Sequence, residues 1–143
     1  MGDQTAAELA EALAGVPQLR QLRLSYGSLG DAGARALGAA LVSEFKPPNL
    51  EALWLGGNLI GDAGARALAR ALGPNDVDTI RPLHTLALYS NQIGADGLAR
   101  LGEALKAREQ ADASLGPASV TLYDNADGAE VELSCRGEQQ ITA

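Results

Sequence analysis

Few residues in this chain have the types that perform covalent or metal chemistry, and their spacing argues against such a role. His84 is the single histidine and Cys135 the single cysteine. A zinc site needs several nitrogen, sulfur or carboxylate ligands at short spacings, and neither residue has such neighbours in sequence. His84 reads as a solvated or edge residue, and Cys135 as a small buried apolar side chain. Asp31 and Asp62 resemble a carboxylate pair for acid–base work, yet they occupy the same place in successive repeats. Turn hydrogen bonding, or complementing the positive end of a helix, accounts for them better. GSLGDAG at 27–33 is Gly-rich but lacks the Lys and Ser/Thr of a phosphate loop. No catalytic residue, cofactor or metal is expected. The chemistry left is recognition, and it falls to the aromatic residues, of which the chain has five.

What positions them is a repeat. Leu19-Arg20-Gln21-Leu22-Arg23-Leu24 returns as Leu50-Glu51-Ala52-Leu53-Trp54-Leu55 and as Leu83-His84-Thr85-Leu86-Ala87-Leu88. Each copy continues into a turn and an alanine-rich segment, at 27–41, 58–72 and 91–105. The period switches within a copy. Leu22, Leu24 and their equivalents alternate as on a strand, whereas Ala34, Leu37 and Leu41 recur at three and four, one face of a helix. Such a unit cannot bury its apolar face alone and must stack on its neighbours. The expected fold class is an α/β solenoid.

The turn residues fix the register. Gly2-Asp3, Gly30-Asp31, Gly61-Asp62 and Gly94-Ala95 align at spacings of 28, 31 and 33, and Asn58, Asn91 and Asn125 share a column at spacings of 33 and 34. A helical half-repeat thus occupies 2–18, full repeats occupy 19–49, 50–82 and 83–116, and Val120-Thr121-Leu122 opens a fourth copy. Gly33, Gly64 and Gly97 sit where a side chain would crowd the preceding turn. Arg35 and Arg66 recur on the exposed helix face, where ion pairs within the stack contribute little. The segments 42–49, 73–82 and 106–117, with prolines at 47, 48, 74, 82 and 117, are the connecting loops. Phe45, Val77 and Ile80 are expected to fold back over the edge leucines.

The fourth copy decays. Asp127-Gly128 replaces the apolar-Gly pair of Ile93-Gly94, and Val131, Leu133 and Cys135 then alternate, which predicts a strand returning beside 120–123 in a hairpin. Residues 117–135 therefore form a terminal strand and cap, as solenoid ends require. The tail 136–143 is expected to fray. The whole chain, 1–143, reads as one domain.

Composition narrows the function. Apolar residues are 46% and aromatic residues 3%, so the core is built of Leu and Ala. A net charge of −7 disfavours nucleic acid and anionic membranes, which call for a basic patch, and favours a neutral or basic partner. The N-terminus lacks the basic and apolar regions of a secretory signal, and no 18-residue apolar run is present. With a lone cysteine, a cytoplasmic location is expected.

The pattern LxxLxLxxN followed by (I/L)G(D)xGaxxLaxaL, over roughly residues 2–125, resembles the leucine-rich repeat family in its long, helix-containing, ribonuclease-inhibitor-like form. The resemblance implies a curved stack with parallel strands on the concave side, helices on the convex side, and recognition of proteins. It also raises two alternatives, an enzyme regulator such as a GTPase activator and a fragment of a larger repeat receptor. One departure stands out: Gly27 occupies the asparagine column, removing a rung of the amide ladder. Glycine's freedom at φ > 0 is expected to compensate in that turn.

On this register the concave face carries Gln21, Ala52, Thr85 and Ser119, then Arg23, Trp54, Ala87 and Thr121, then Ser25, Gly56, Tyr89 and Tyr123. Just past the strands come Tyr26, Gly57, Ser90 and Asp124. Four of the five aromatic residues fall among these sixteen positions, with Arg23 and Asp124 as the sole charges. Trp, Tyr and Arg dominate binding hot spots. The expected partner-binding set is Arg23, Tyr26, Trp54, Tyr89, Tyr123 and Asp124. Tyr89 and Tyr123 should be neighbours, and bare Gly56 should admit a partner side chain beside Trp54. The partner is a protein of unknown identity; the sequence is silent on oligomeric state.

Overall fold

The computed structural model describes residues 1–43, 49–73, 83–111 and 118–126, with the backbone of 131–134 and 140–141. Helices and short strands alternate: α1 (Asp3–Ala12), β1 (Gln21–Arg23), α2 (Asp31–Leu41), β2 (Ala52–Trp54), α3 (Asp62–Ala69), β3 (Thr85–Ala87), α4 (Ala95–Ala111) and β4 (Ser119–Thr121). Strands β5 (Val131–Ser134) and β6 (Gln140–Ile141) follow. One sheet holds all six strands in sequence order. The first four are parallel, and β5 pairs antiparallel with β4, then β6 antiparallel with β5. The expected return strand is therefore present, whereas the expected featureless tail contains β6. Phe45, Val77, Ile80, Cys135 and the five loop prolines lie outside the described residues. Among the described residues, no helix is long and apolar enough to cross a membrane.

The register is the one the leucines dictate: Leu22 faces Leu53, Leu53 faces Leu86, and Leu86 faces Val120. These side chains enter one core with Leu55 and Leu88, and with Leu37, Leu68 and Leu101 from the helices. A slip of one residue would turn every strand leucine to the opposite face, so the register is strongly specified. The helix layer is close-packed because its contacts are Gly and Ala. A methyl group on Gly38 would lie 2.6 Å from the Ala67 carbonyl oxygen.

Two side-chain ladders tie the repeats together. Asn58 Oδ1 accepts from the N–H groups of Gly27 (3.1 Å) and Leu29 (3.2 Å), while its Nδ2 donates to the carbonyls of Leu24 and Leu55. Asn91 and Asn125 repeat the pattern one and two copies on. The aspartates form the second ladder, and each serves the helix of the next repeat. Asp3 Oδ1 accepts from Gly30 and Gly33, Asp31 Oδ1 from Gly61 and Gly64, and Asp62 Oδ1 from Gly94 and Gly97, all at 2.7–2.9 Å. Helices α2 and α3 begin at glycines without a side-chain cap of their own. The preceding repeat supplies the carboxylate that satisfies their orphan N–H groups. Gly33, Gly64 and Gly97 are explained with it: a Cβ at any of them would stand 2.7 Å from that carboxylate. The third copy has Ala95 in the aspartate column, and among the described residues no helix follows β4 for it to cap.

Several expectations change. Gly27 is not left-handed; Gly57 is the glycine at positive φ, and Tyr26 takes that conformation in the first turn. Gly27 is required instead because a Cβ there would lie 2.8 Å from the Met1 carbonyl oxygen. Helix α4 extends through residues expected to be loop, and this places Arg108 in the interior at 1% exposure. Its guanidinium donates to the carbonyls of Leu72 and Leu83 and lies 3.4 Å from His84 Nδ1, so His84 is a half-buried partner rather than a solvated one. Arg35 and Arg66 are exposed, but the ion pairs among the described residues are Arg20–Glu51 and Arg100–Glu103.

Candidate functional site

The strand ladder continues one step past each strand. Tyr26 donates its N–H to Gly56 O, Gly57 to Tyr89 O, and Ser90 to Tyr123 O, at 2.8–2.9 Å. Each of these donors bends into the left-handed region, with φ of 60° at Tyr26, 70° at Gly57 and 51° at Ser90, and Asp124 joins the column at 57°. Glycine and aspartate accept this conformation readily, whereas a bulky side chain does so at a cost of about 1–2 kcal/mol. Tyr26 is therefore strained, and its side chain is 79% exposed, so deep burial does not offset the strain.

The turn aims three tyrosine rings at one another. Tyr89 lies over Gly56: a methyl group there would fall 2.1 Å from its Cζ. Tyr26 leans from the opposite side over Gly57, where a Cβ would fall 2.5 Å from its ring. The glycine pair is thus a floor for two rings delivered by the flanking repeats. Tyr26 and Tyr89 have centroids 6.2 Å apart at 58°, and Tyr123 stacks on Tyr89 at 5.0 Å and 9°. Edge-tilted and offset-stacked pairs of this kind each contribute about 0.5–1.5 kcal/mol beyond area burial. The expected Tyr89–Tyr123 adjacency is present. The expected opening above Gly56 is not, because Tyr89 fills it.

Beside Tyr89 the phenol of Tyr26 is held above its ordinary value of 10.0, first by the side-chain hydrogen bond between the two and next by the repulsion of neighbouring phenolate charge. Tyr123 remains 44% exposed. Asp124 extends the cluster, its Oδ2 accepting from Ser90 Oγ at 2.7 Å.

Trp54 and Arg23 form a separate unit. The Arg23 guanidinium carbon sits 5.2 Å from the Trp54 ring centroid, a cation–π contact. Trp54 Nε1 is buried without a hydrogen-bond partner among the described residues. Trp54 therefore does not present a bare face, and Arg23 covers it. Among the described residues no group of three or more side chains is arranged to hold a metal ion. Ser90 and Gly57 lie among the sixteen face positions but outside the expected partner-binding set, and Gly56 was expected as an opening and not as a floor. Gly57 and Asp124 sharing a column with Tyr26 and Ser90 was the available sign that the whole column is left-handed.

Helices alternating with parallel strands, joined by recurring Asn and Asp ladders, define a repeat solenoid. The leucine-rich repeat model, described as "Leucine Rich repeat", matches residues 17–38, 46–69 and 79–102, and the chain belongs to that family. A comparison with curated proteins found no match. Among solved structures the chain is similar to the actin-binding site 2 of leiomodin-1, with a TM-score of 0.59 and 18% identity over 76% of this chain. It spans 60% of that structure's length, and at this identity the likeness is one of fold.

Proposed function

We propose that the protein is a non-catalytic scaffold that binds a protein partner on the exposed face of its sheet. Leucine-rich repeats generally serve as protein-binding scaffolds, and this chain adds a specific surface to that role. The observation that carries the reading is the tyrosine cluster, in particular a strained, exposed Tyr26 packed against Gly57 and Tyr89. Strained residues persist where the surroundings over-determine them and are concentrated at functional sites. Arg23, Trp54, Tyr89, Tyr123 and Asp124 complete the contact surface, with Arg23 and Trp54 engaging as one stacked unit. In this reading the sheet is the concave side of a ribonuclease-inhibitor-like stack, β5 and β6 cap its last repeat, and the protein acts in the cytoplasm.

The test is affinity capture with the intact chain, followed by the same capture with Tyr26→Ala/Tyr123→Ala. Both rings are exposed, so the variant retains its fold, which circular dichroism checks. Loss of the captured partner is expected; retention at undiminished affinity would show that the partner binds elsewhere.

A further inference from the structure

We infer that the tyrosine cluster and Asp124 together take an arginine side chain presented by a basic segment of the partner. The inference rests on the sheet-face reading and adds the partner's chemistry. Three phenol rings within 5.0–6.2 Å of their neighbours concentrate electron-rich faces in one place. A cation within about 6 Å of such a face is attracted to it. Asp124 stands next in sequence to Tyr123, in the same left-handed column as Tyr26. Its carboxylate is oriented through Oδ2 by Ser90, and among the described residues it forms no ion pair. An exposed carboxylate bonded to Ser90, on residues next in sequence to the stacked Tyr89 and Tyr123, is complementary to a guanidinium, which stacks through its plane and donates through its edge. An ammonium offers a point charge without that plane. The nearest cation of the chain's own on this face, Arg23, is engaged over Trp54. The net charge of −7 adds a long-range preference for a basic partner.

The experiment is a nuclear magnetic resonance titration of the whole chain with capped single amino acids: N-acetyl-arginine methylamide, and its lysine, citrulline and leucine counterparts. The arginine probe is expected to shift the resonances of Tyr26, Tyr123 and Asp124 and to bind about tenfold more tightly than citrulline, which keeps the shape and loses the charge. Asp124→Asn, which tolerates the left-handed backbone, should weaken arginine binding about threefold and leave leucine unaffected. Equal binding of citrulline or leucine would make the cluster a merely apolar surface and overturn the inference. Equal binding of lysine would remove its guanidinium selectivity, and the absence of saturable shifts at these residues would overturn it outright. Capture separates the two readings. A partner lost by Tyr26→Ala/Tyr123→Ala but retained at full affinity by Asp124→Asn leaves the sheet face standing and the arginine inference refuted.

Discussion

Gly56→Ala tests the site without touching any residue proposed to contact the partner. The added methyl group would lie 2.1 Å from Tyr89 Cζ and 2.2 Å from Cε2, so the ring must swing away. The displacement ends the parallel stack of Tyr89 on Tyr123 and the tilted contact with Tyr26. Two ring pairs at about 0.5–1.5 kcal/mol each set a loss of roughly 1–3 kcal/mol if neither reforms. Against this, alanine restricts the unfolded chain and returns about 0.4–1 kcal/mol, because Gly56 does not need a positive φ. The net is a destabilisation of about 0–2.6 kcal/mol, within reach of a folded variant.

Binding should suffer more. Tyr89 and Tyr123 both lose the geometry they present, and truncating one hot-spot residue commonly costs about 2 kcal/mol, close to thirtyfold in affinity. The assay pairs urea unfolding with calorimetric titration of the captured partner, and near-ultraviolet circular dichroism reports the tyrosines' new environment. A changed tyrosine signal with unchanged affinity would refute the reasoning, since the rings would then have moved without consequence. A stability loss well beyond about 3 kcal/mol would refute the claim that Tyr89 is the element that yields.

Asp62→Ala should destabilise by about 1–2 kcal/mol, the worth of a helix cap, because Gly94 and Gly97 lose their shared acceptor. The converse Ala95→Asp should stay within about 0.5 kcal/mol, and urea unfolding of both checks the ladder's direction. Tyr26→Gly should leave stability within about 1 kcal/mol, because relief of about 1–2 kcal/mol of left-handed strain is offset by loss of the ring pair with Tyr89 and by glycine's freedom in the unfolded chain, while partner binding weakens; thermal unfolding and calorimetry measure both. In alkaline solution the sign follows from Tyr26, whose folded-state pKa is raised above 10.0. Its contribution is fully present below the unfolded value and is lost as pH rises through the folded one. Wild type should therefore lose stability relative to Tyr26→Phe as pH rises from 10.0 through the raised folded value, and a parallel decline of the two would rule Tyr26 out as the cause.

The strand columns were legible from sequence because the leucine period admits one register: Arg23 beside Trp54 and Tyr89 beside Tyr123 follow from counting. The return of β5 was legible for the same reason, from the alternation at Val131 and Leu133. What counting does not supply is the direction in which a side chain leans. Tyr89 could have stood upright, leaving Gly56 open; it lies down because the glycine leaves room and Tyr123 stacks behind it. Arg108 was hidden for a related reason. Its place near the end of an alanine-rich helix gives no sign that backbone carbonyls at Leu72 and Leu83 require a donor. The aspartates were recognised as helix-terminal groups, but that each serves its neighbour's helix depends on the offset between repeats, a three-dimensional quantity.

The left-handed column joins architecture to function. Tyr26, Gly57 and Ser90 each pass an N–H to a carbonyl of the next repeat, and with Asp124 they share one left-handed conformation, which therefore follows the position in the repeat and not the residue occupying it. Glycine would satisfy the requirement at every copy, as it does at Gly57. The chain places Tyr26, Ser90 and Asp124 there instead: Tyr26 packs against Tyr89, and Ser90 hydrogen-bonds Asp124. The residue with least structural justification, Tyr26, is also the most exposed large apolar side chain described. The ring contact with Tyr89, about 0.5–1.5 kcal/mol, at best balances the strain of a tyrosine where the backbone favours glycine and water covers most of the ring. A partner that contacts the ring supplies the reason for it, and the orientation fixed by the strained turn reduces the freedom left to lose on binding.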